Sequence, residues 1–415
     1  MNFFKKIFCR SFQICMRAAL PFLPYREPEL IHGVAAVPGV LTQHGITHVM
    51  LVTDRGVRSL GLTNHLEGAL ALAGIDCTVF DDTVANPTVA NVEAARELYL
   101  ADRCQALIAF GGGSSMDCAK AVGARLARPR KSLAKMEGLL HVMRRLPLLI
   151  AVPTTAGTGS ETTLAAVITD EKTHHKYPIN DFALIPDYAV LEPDVTFGLP
   201  PQLTATTGMD ALTHAVEAYI GNSTTRQTRA AAVEAVQLIL DNLTVAYHDG
   251  KNRTARANML RAAYLAGTAF TKSYVGYVHA VAHSLGGRYG IAHGLANSVL
   301  LPVVLEEYGV HAHKKLAKLA RACGVSNAVS DAEAAQAMIR RIRAMNEEMQ
   351  IPETLPGIRN EDIPQLARYA DHEANPLYPV PVLWGPDKLE TIYTMVQEVA
   401  LDDRAADSKH TGAAA

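Results

Sequence analysis

Three rhythms of apolar and polar positions succeed one another along the chain. The first stretch, "MNFFKKIFCRSFQICMRAALPFLPYREPEL", mixes apolar residues with Lys5, Lys6, Arg10 and Arg17. The basic residues interrupt any apolar run, and prolines follow, so a secretory signal is not expected. An amphipathic helix over 1–27, packed on the protein, is the expected form, with a surface membrane anchor as the alternative. No stretch is long and apolar enough to span a bilayer.

From residue 28 the rhythm becomes strand and helix in turn. "HVMLVTD" (48–54), "CTVFDD" (77–82), "CQALIAFGGGS" (104–114) and "LPLLIAVPTT" (146–155) are short apolar runs that end in polar loops. Buried parallel strands look like this. Between them "RSLGLTNHLEGALALAG", "TVANVEAARELYLAD" and "SMDCAKAVGARLA" carry helical spacing. The alternation predicts an α/β domain with a Rossmann-like parallel sheet. Past "LEPDVTFGLPPQ", at 191–202, the strands stop. "LTATTGMDALTHAVEAYIG", "TRQTRAAAVEAVQLILDNLTVAYHDG" and "RTARANMLRAAYLAGTAFTKSYVGYVHAVAHSLGG" read as successive helices, with further helices to about residue 350. Within the third, Gly286 and Gly287 are the expected breaking point. The expected organisation is therefore a helical extension (1–27), a dinucleotide-binding α/β domain (28–198), an all-α metal and substrate domain (199–402) and a flexible tail (403–415).

Composition narrows the function classes. The chain has 415 residues, of which 49% are apolar, and a formal net charge of −2. That length suits two domains, and the balanced charge offers nothing to nucleic acid. Six cysteines without a C-x-x-C pair fit free thiols in a reducing, cytoplasmic setting.

Two loops at strand ends suggest a nucleotide. In "IAFGGGSSMD", Gly111, Gly112 and Gly113 let the backbone approach a phosphate closely, and the helix that follows offers free N–H groups. Ser114 or Ser115 can cap that helix or donate to the phosphate. "PTTAGTGSETT" (153–163), with Thr154, Thr155, Thr158 and Ser160, is dense in hydroxyls at another strand end and suits the cofactor's phosphate or nicotinamide side. Asp54, ending the first strand, can accept from a ribose hydroxyl and repel a 2′-phosphate, which favours NAD; the alternative is a plain N-cap.

Histidine spacing suggests a metal. In "GMDALTHAVEAY", Asp210 and His214 are four residues apart, on one face of a helix. His279 and His283 repeat the spacing, and His293 follows a glycine-rich turn. A carboxylate with neutral imidazoles suits Fe²⁺ or Zn²⁺ and not Mg²⁺. Four ligands are needed and five candidates are present, so one histidine is left for the reaction. His174, His175, His311 and His313 form no such pairs and read as solvated.

With these motifs the chain resembles the iron-containing (group III) alcohol dehydrogenase family over roughly 28–400. The resemblance rests on "VTD", "NPT" (86–88), "GGGSSMD", "PTTAGTGSE", "GMDALTHAVEAY", "HAVAHSLGGRYGIAHGLAN" and "NP" (375–376). It implies a dehydroquinate synthase-like two-domain plan and NAD-dependent interconversion of a primary alcohol and its aldehyde. It also implies a metal at Asp210, His214, His279 and His293, with His283 beside nicotinamide and substrate. Asn86, Asp117 and Lys176 join the cofactor contacts on the same ground, and a homo-oligomer, dimer or larger, is implied. In this chemistry the metal lowers the pKa of the alcohol oxygen, and the carbon gives a hydride to nicotinamide. The chain departs from the family's small or amide residues at Thr271, Lys272 and Ser273, on the substrate side. A glycerol dehydrogenase-like or diol/hydroxy-aldehyde oxidoreductase is one alternative. A metal- and nucleotide-binding protein without turnover is another.

Overall fold

The computed structural model describes residues 1–172 and 175–398. Two compact units emerge: one comprises 19–219 and 224–273, the other 1–18, 220–223 and 274 onward.

The first unit is organised by nine strands: β1 (Glu29–Ile31), β2 (His48–Val52), β3 (Asp76–Phe80), β4 (Ala106–Gly111), β5 (Gly138–Leu139), β6 (Leu148–Pro153), β7 (Ala165–Asp170), β8 (His175–Asn180) and β9 (Tyr188–Val190). Six of them form a sheet in the order β1-β9-β6-β4-β2-β3, with every neighbouring pair parallel. Side chains alternate between its faces. Val49, Leu51, Ile108, Phe110, Ile150 and Val152 pack with Leu66 and Leu70 on one side. Met50, Leu107 and Leu149 pack with Met116 and Val122 of the helix Gly113–Ala127 on the other. Burial on both faces is why β4 reads as an unbroken apolar run.

The strand order fixes where a ligand can sit. From β2 the chain steps to β3 on one side and then crosses to β4 on the other. The order therefore reverses between β2 and β4, and open parallel sheets bind ligands outside such a reversal. Asp54 follows β2, and Gly111 to Gly113 close β4, so both flank this point.

Apolar spacing left parts of this unit unread. The short edge strands β1 and β9 are three residues each. The small sheet β5-β8-β7, whose last two strands form an antiparallel hairpin, lies in a charged stretch with little alternation.

No strand follows β9 among the described residues. The single long helix expected over 253–287 is two helices, Arg253–Ser273 and Tyr277–Tyr289. The chain breaks at Tyr274, which has φ 64°, and restarts after Gly276. Gly286 and Gly287 do not end the second helix. It runs on to Tyr289, and Gly290 terminates it in the left-handed conformation, its N–H bonding the Gly286 carbonyl. Two mid-helix glycines lose propensity but no hydrogen bond, whereas the left-handed cap requires a glycine far more strongly.

In the second unit, the helix Tyr277–Tyr289 is anchored at its first residue. The Tyr277 ring stacks on Trp384 at 4.9 Å between centroids, and its hydroxyl accepts from the Trp384 N–H at 2.8 Å. The N-terminal helix Phe3–Ala19 packs here too, through Cys9 and Gln13. Gln13 donates to the carbonyls of Pro376 and Tyr378, and Arg10 to those of Val380 and Pro381. The tail 403–415 and His174 lie outside the described residues. His175 is on β8, its ring stacked on Tyr177 and bonded to Glu137.

Candidate functional site

At the sheet reversal the two hydroxyl- and glycine-rich loops face each other. Gly111 cannot carry a side chain, because a Cβ there would lie 2.4 Å from Ser115 Oγ. A Cβ on Gly113 would press on Thr158 at 3.3 Å, and one on Gly112 would come within 3.9 Å of Thr155 Oγ1. The Thr154 N–H bonds the Gly111 carbonyl, which ties the loops at their root. Gly159 holds the second loop tight against the helix Arg253–Ser273: its φ is 60°, and a Cβ would sit 2.8 Å from the Gly267 Cα. The helix Gly113–Ala127 starts between these loops with its first N–H groups beyond any intrahelical acceptor. That edge is positive and lined by backbone, which fits a pyrophosphate.

Asp54 is an N-cap whose second carboxylate oxygen stays at the glycine turn. One carboxylate oxygen accepts the Val57 N–H and caps the helix Arg55–Ser59. The other accepts from Ser115 Oγ at 3.3 Å. Its charge therefore lies beside the glycine turn. Asn86, with φ 57°, donates its N–H to Ser114 Oγ, and its side-chain oxygen accepts from Lys176 Nζ at 2.6 Å. Burial pulls the Lys176 ammonium below its usual pKa, against the opposing pull of Asp117.

Asp117 holds the second loop from behind. Its oxygens accept from Ser160 Oγ at 3.1 Å and from the Val167 N–H at 3.0 Å. Burial raises its pKa, and Lys120 opposes the rise. Lys120, fully buried, donates to Ser160, Thr163 and Ala165. Desolvation lowers it to about 8 and raises the neighbouring Glu161 to about 7. Spacing did not single out Lys120 or Glu161, since each reads as one charge near a strand or loop end.

The five metal candidates fall in two groups. Asp210 and His214 are successive-turn residues of the helix Pro201–Ile220, and both are buried. The His214 ring stacks on Phe270 at 4.1 Å with an interplanar angle of 13°, a contact that sequence reading missed. In the second unit His279 is buried, one turn before His283 on the same helix. The turn at Gly290 brings His293, which opens the next helix, back beside them. Ring centroids lie 5.4 Å apart for His279 and His293, and 5.1 Å for His283 and His293, the latter pair stacked. Asp210 and His214 thus offer a carboxylate oxygen and an imidazole nitrogen on one helix face, and His279 and His293 offer two neighbouring imidazoles. One carboxylate oxygen and three imidazole nitrogens are a donor set for iron or zinc.

His283 differs from the other histidines in its partner. Its Nδ1 lies 2.6 Å from Glu373 Oε1, and the Tyr378 hydroxyl donates to the same oxygen at 2.8 Å. Burial pushes the Glu373 carboxyl up, but the His283 and Tyr378 bonds outweigh it and hold the group below its usual pKa. Glu373 stands ninety residues away in sequence, just before the "NP" at 375–376, which does not itself point to a carboxylate.

The pattern of the iron-containing alcohol dehydrogenases matches residues 30–193, and that of the C-terminal part of the same family matches 204–395. The chain belongs to the iron-containing alcohol dehydrogenase family. It is 39% identical to alcohol dehydrogenase 4 of Saccharomyces cerevisiae (strain YJM789), over 78% of this chain and 85% of that protein. Identity is 40% to the 1,3-propanediol dehydrogenase of Citrobacter freundii, over 79% of this chain and 85% of that one. It is 35% to the NAD-dependent methanol dehydrogenase of Bacillus methanolicus, over 84% and 92%. A 1,3-propanediol oxidoreductase structure superposes with a TM-score of 0.86 at 35% identity, covering 90% of this chain and 99% of that one. The sulfoacetaldehyde reductase of Bifidobacterium kashiwanohense, solved with NAD⁺, superposes at 0.81 with 29% identity over 90% and 98%. The chain is thus an oxidoreductase of the iron-containing, NAD-linked alcohol dehydrogenase type, which interconverts alcohol and aldehyde. Lys272, where the chain departs from the family, donates to Glu27 at 2.8 Å.

Proposed function

We propose that Asp210, His214, His279 and His293 hold the catalytic metal, that His283 works on the substrate side, and that the loops 111–115 and 154–160 hold NAD(H). The observation that supports the metal assignment is the pairing within each unit: Asp210 and His214 on successive turns of one helix, and the His279 and His293 rings 5.4 Å apart. Bound there, a divalent ion supplies Lewis acidity to the alcohol oxygen, and NAD⁺ supplies the hydride acceptor.

The chain's own residues supply position and proton control. Phe270 restricts the His214 ring by stacking. The Glu373 carboxylate accepts a hydrogen bond from the Nδ1–H of His283, which fixes the tautomer and leaves Nε2 as the nitrogen with a lone pair. His283 can then accept or return the hydroxyl proton. Gly112, Gly113, Ser114 and Ser115 receive the pyrophosphate on backbone and hydroxyl donors, with Thr154, Thr155 and Thr158 opposite. Asn86 and Lys176 form a further donor pair on that side, and Asp117 acts through Ser160, which it holds. Asp54 excludes a 2′-phosphate by charge.

The preferred substrate is a small primary alcohol or its aldehyde. A diol or hydroxy-aldehyde is the second reading, favoured by the likeness to propanediol dehydrogenases. Lys272 does not support it, because its ammonium is engaged by Glu27. The six free cysteines fit a reducing cytoplasm, and the same family suggests a homo-oligomer. The test is NADH formation from equal-length alcohols and diols, with iron or zinc restored to metal-free protein. No NADH from any of them with either metal would refute the reading.

A further inference from the structure

The helix Phe3–Ala19 lies outside the matched family core, which begins at residue 30. Its packing faces the wrong way for an ordinary amphipathic helix. The side turned to the protein carries Cys9, Gln13 and Arg10, held by four hydrogen bonds to backbone carbonyls of 376–381. The side turned outward carries Phe4, Ile7, Phe8, Ile14, Cys15 and Ala18. Phe4 is 80% exposed, Ile14 68% and Phe8 60%. These positions recur every three to four residues and form one continuous apolar stripe. Contiguous exposed apolar surface marks an interaction site.

Charge selects the occupant. The first 26 residues hold five Lys or Arg and no Asp or Glu. Lys6 and Arg17 are exposed at the edge of the helix, while Arg10 is turned to the protein. Arg10 and Arg17 bond uncharged oxygens, so their charge is not cancelled, whereas Lys5 pairs with Asp371 and Arg26 with Asp187. A second copy meets this surface poorly. Two-fold pairing would set like charges together, and a helix about 25 Å long offers roughly 250 Å² per partner, far below the ~800 Å² of a stable interface. Anionic lipid meets both features, with acyl chains for the phenylalanines and headgroups for the basic edge.

We propose that the helix Phe3–Ala19 docks the enzyme on the surface of membranes rich in anionic lipid, without spanning them. The test is flotation of the full-length enzyme with vesicles of phosphatidylcholine alone or with one-third phosphatidylglycerol. The expected result is flotation with the anionic vesicles only, reversed by high salt. Phe4→Asp/Phe8→Asp should lower binding at least tenfold while NADH formation in solution stays unchanged, which shows that the variant is folded. Lys6→Ser should lower binding about fivefold, the share of one basic residue near such a surface. Three results would overturn the proposal. Wild type could stay unbound at low salt, or bind neutral vesicles equally. The double variant could bind as wild type. Or light scattering could show it splitting an oligomer, which would give the stripe to a second copy.

Discussion

Replacing Glu373 by Ala removes a carboxylate that holds His283 in place. The contact is short, 2.6 Å from Oε1 to Nδ1, and the same oxygen is braced by Tyr378. A hydrogen bond to a charged group contributes roughly 1.5–3 kcal/mol, which would correspond to about 10- to 150-fold in rate. Both side chains are partly exposed, at 45% and 34%, so solvent screening moves the expectation to the lower end, about tenfold. The loss should fall on kcat, with the KM for NAD unchanged, because the dyad is assigned to proton handling and not to holding the nucleotide. Metal content should stay at the wild-type level. Glu373→Gln keeps an acceptor without the charge and should recover most of the rate. The assay is steady-state NADH formation, run beside His283→Ala. If His283→Ala loses rate and Glu373→Ala does not, the carboxylate has no part in positioning the imidazole. If His283→Ala is itself fully active, the role given to His283 falls first.

Asp54→Gly should raise kcat/KM with NADP relative to NAD about tenfold, a discrimination of ~1.4 kcal/mol; wild type already preferring NADP would reduce Asp54 to its capping bond. Gly111→Ala should raise the KM for NAD and destabilise the chain by about 1–3 kcal/mol, because the new methyl would meet Ser115 Oγ at 2.4 Å; an unchanged melting temperature and KM would show that the turn relaxes freely. Glu161, raised by burial to about 7, keeps a proton that the unfolded chain gives up near pH 4.3. Its contribution to stability is fully present below that lower value and is lost as pH rises to about 7, a change of roughly 3 kcal/mol. Glu161→Gln should flatten that part of the stability–pH curve in denaturant titrations, and an unaltered slope would assign the buried charge elsewhere.

Local spacing made one class of feature legible. The runs that became β2, β4 and β6 were visible because strands buried on both faces tolerate little polarity, and edge strand β3 showed as a short run of β-favouring residues. The i, i+4 pairs Asp210/His214 and His279/His283 were visible because a helix converts that spacing into one face. What stayed hidden depends on tertiary contact. Phe270 and His279 fall in one continuous helical run of the sequence, yet the chain breaks at Tyr274, and Phe270 stacks on His214. Glu373 reaches His283 from a distant helix, and nothing near it in sequence marks the contact. The three-residue strands β1 and β9 are too short to show a period. The outward-facing stripe of the first helix follows the expected helical spacing, but its orientation is set by Gln13 and Arg10 bonding distant carbonyls.

Metal content of the anaerobically purified histidine variants tests the central claim most directly. His279→Ala and His293→Ala should lose bound iron and activity together, while His283→Ala should retain iron at the wild-type level and lose rate. Full iron in His279→Ala or His293→Ala, or iron lost from His283→Ala alone, would contradict the assignment of metal ligands and proton-handling residue.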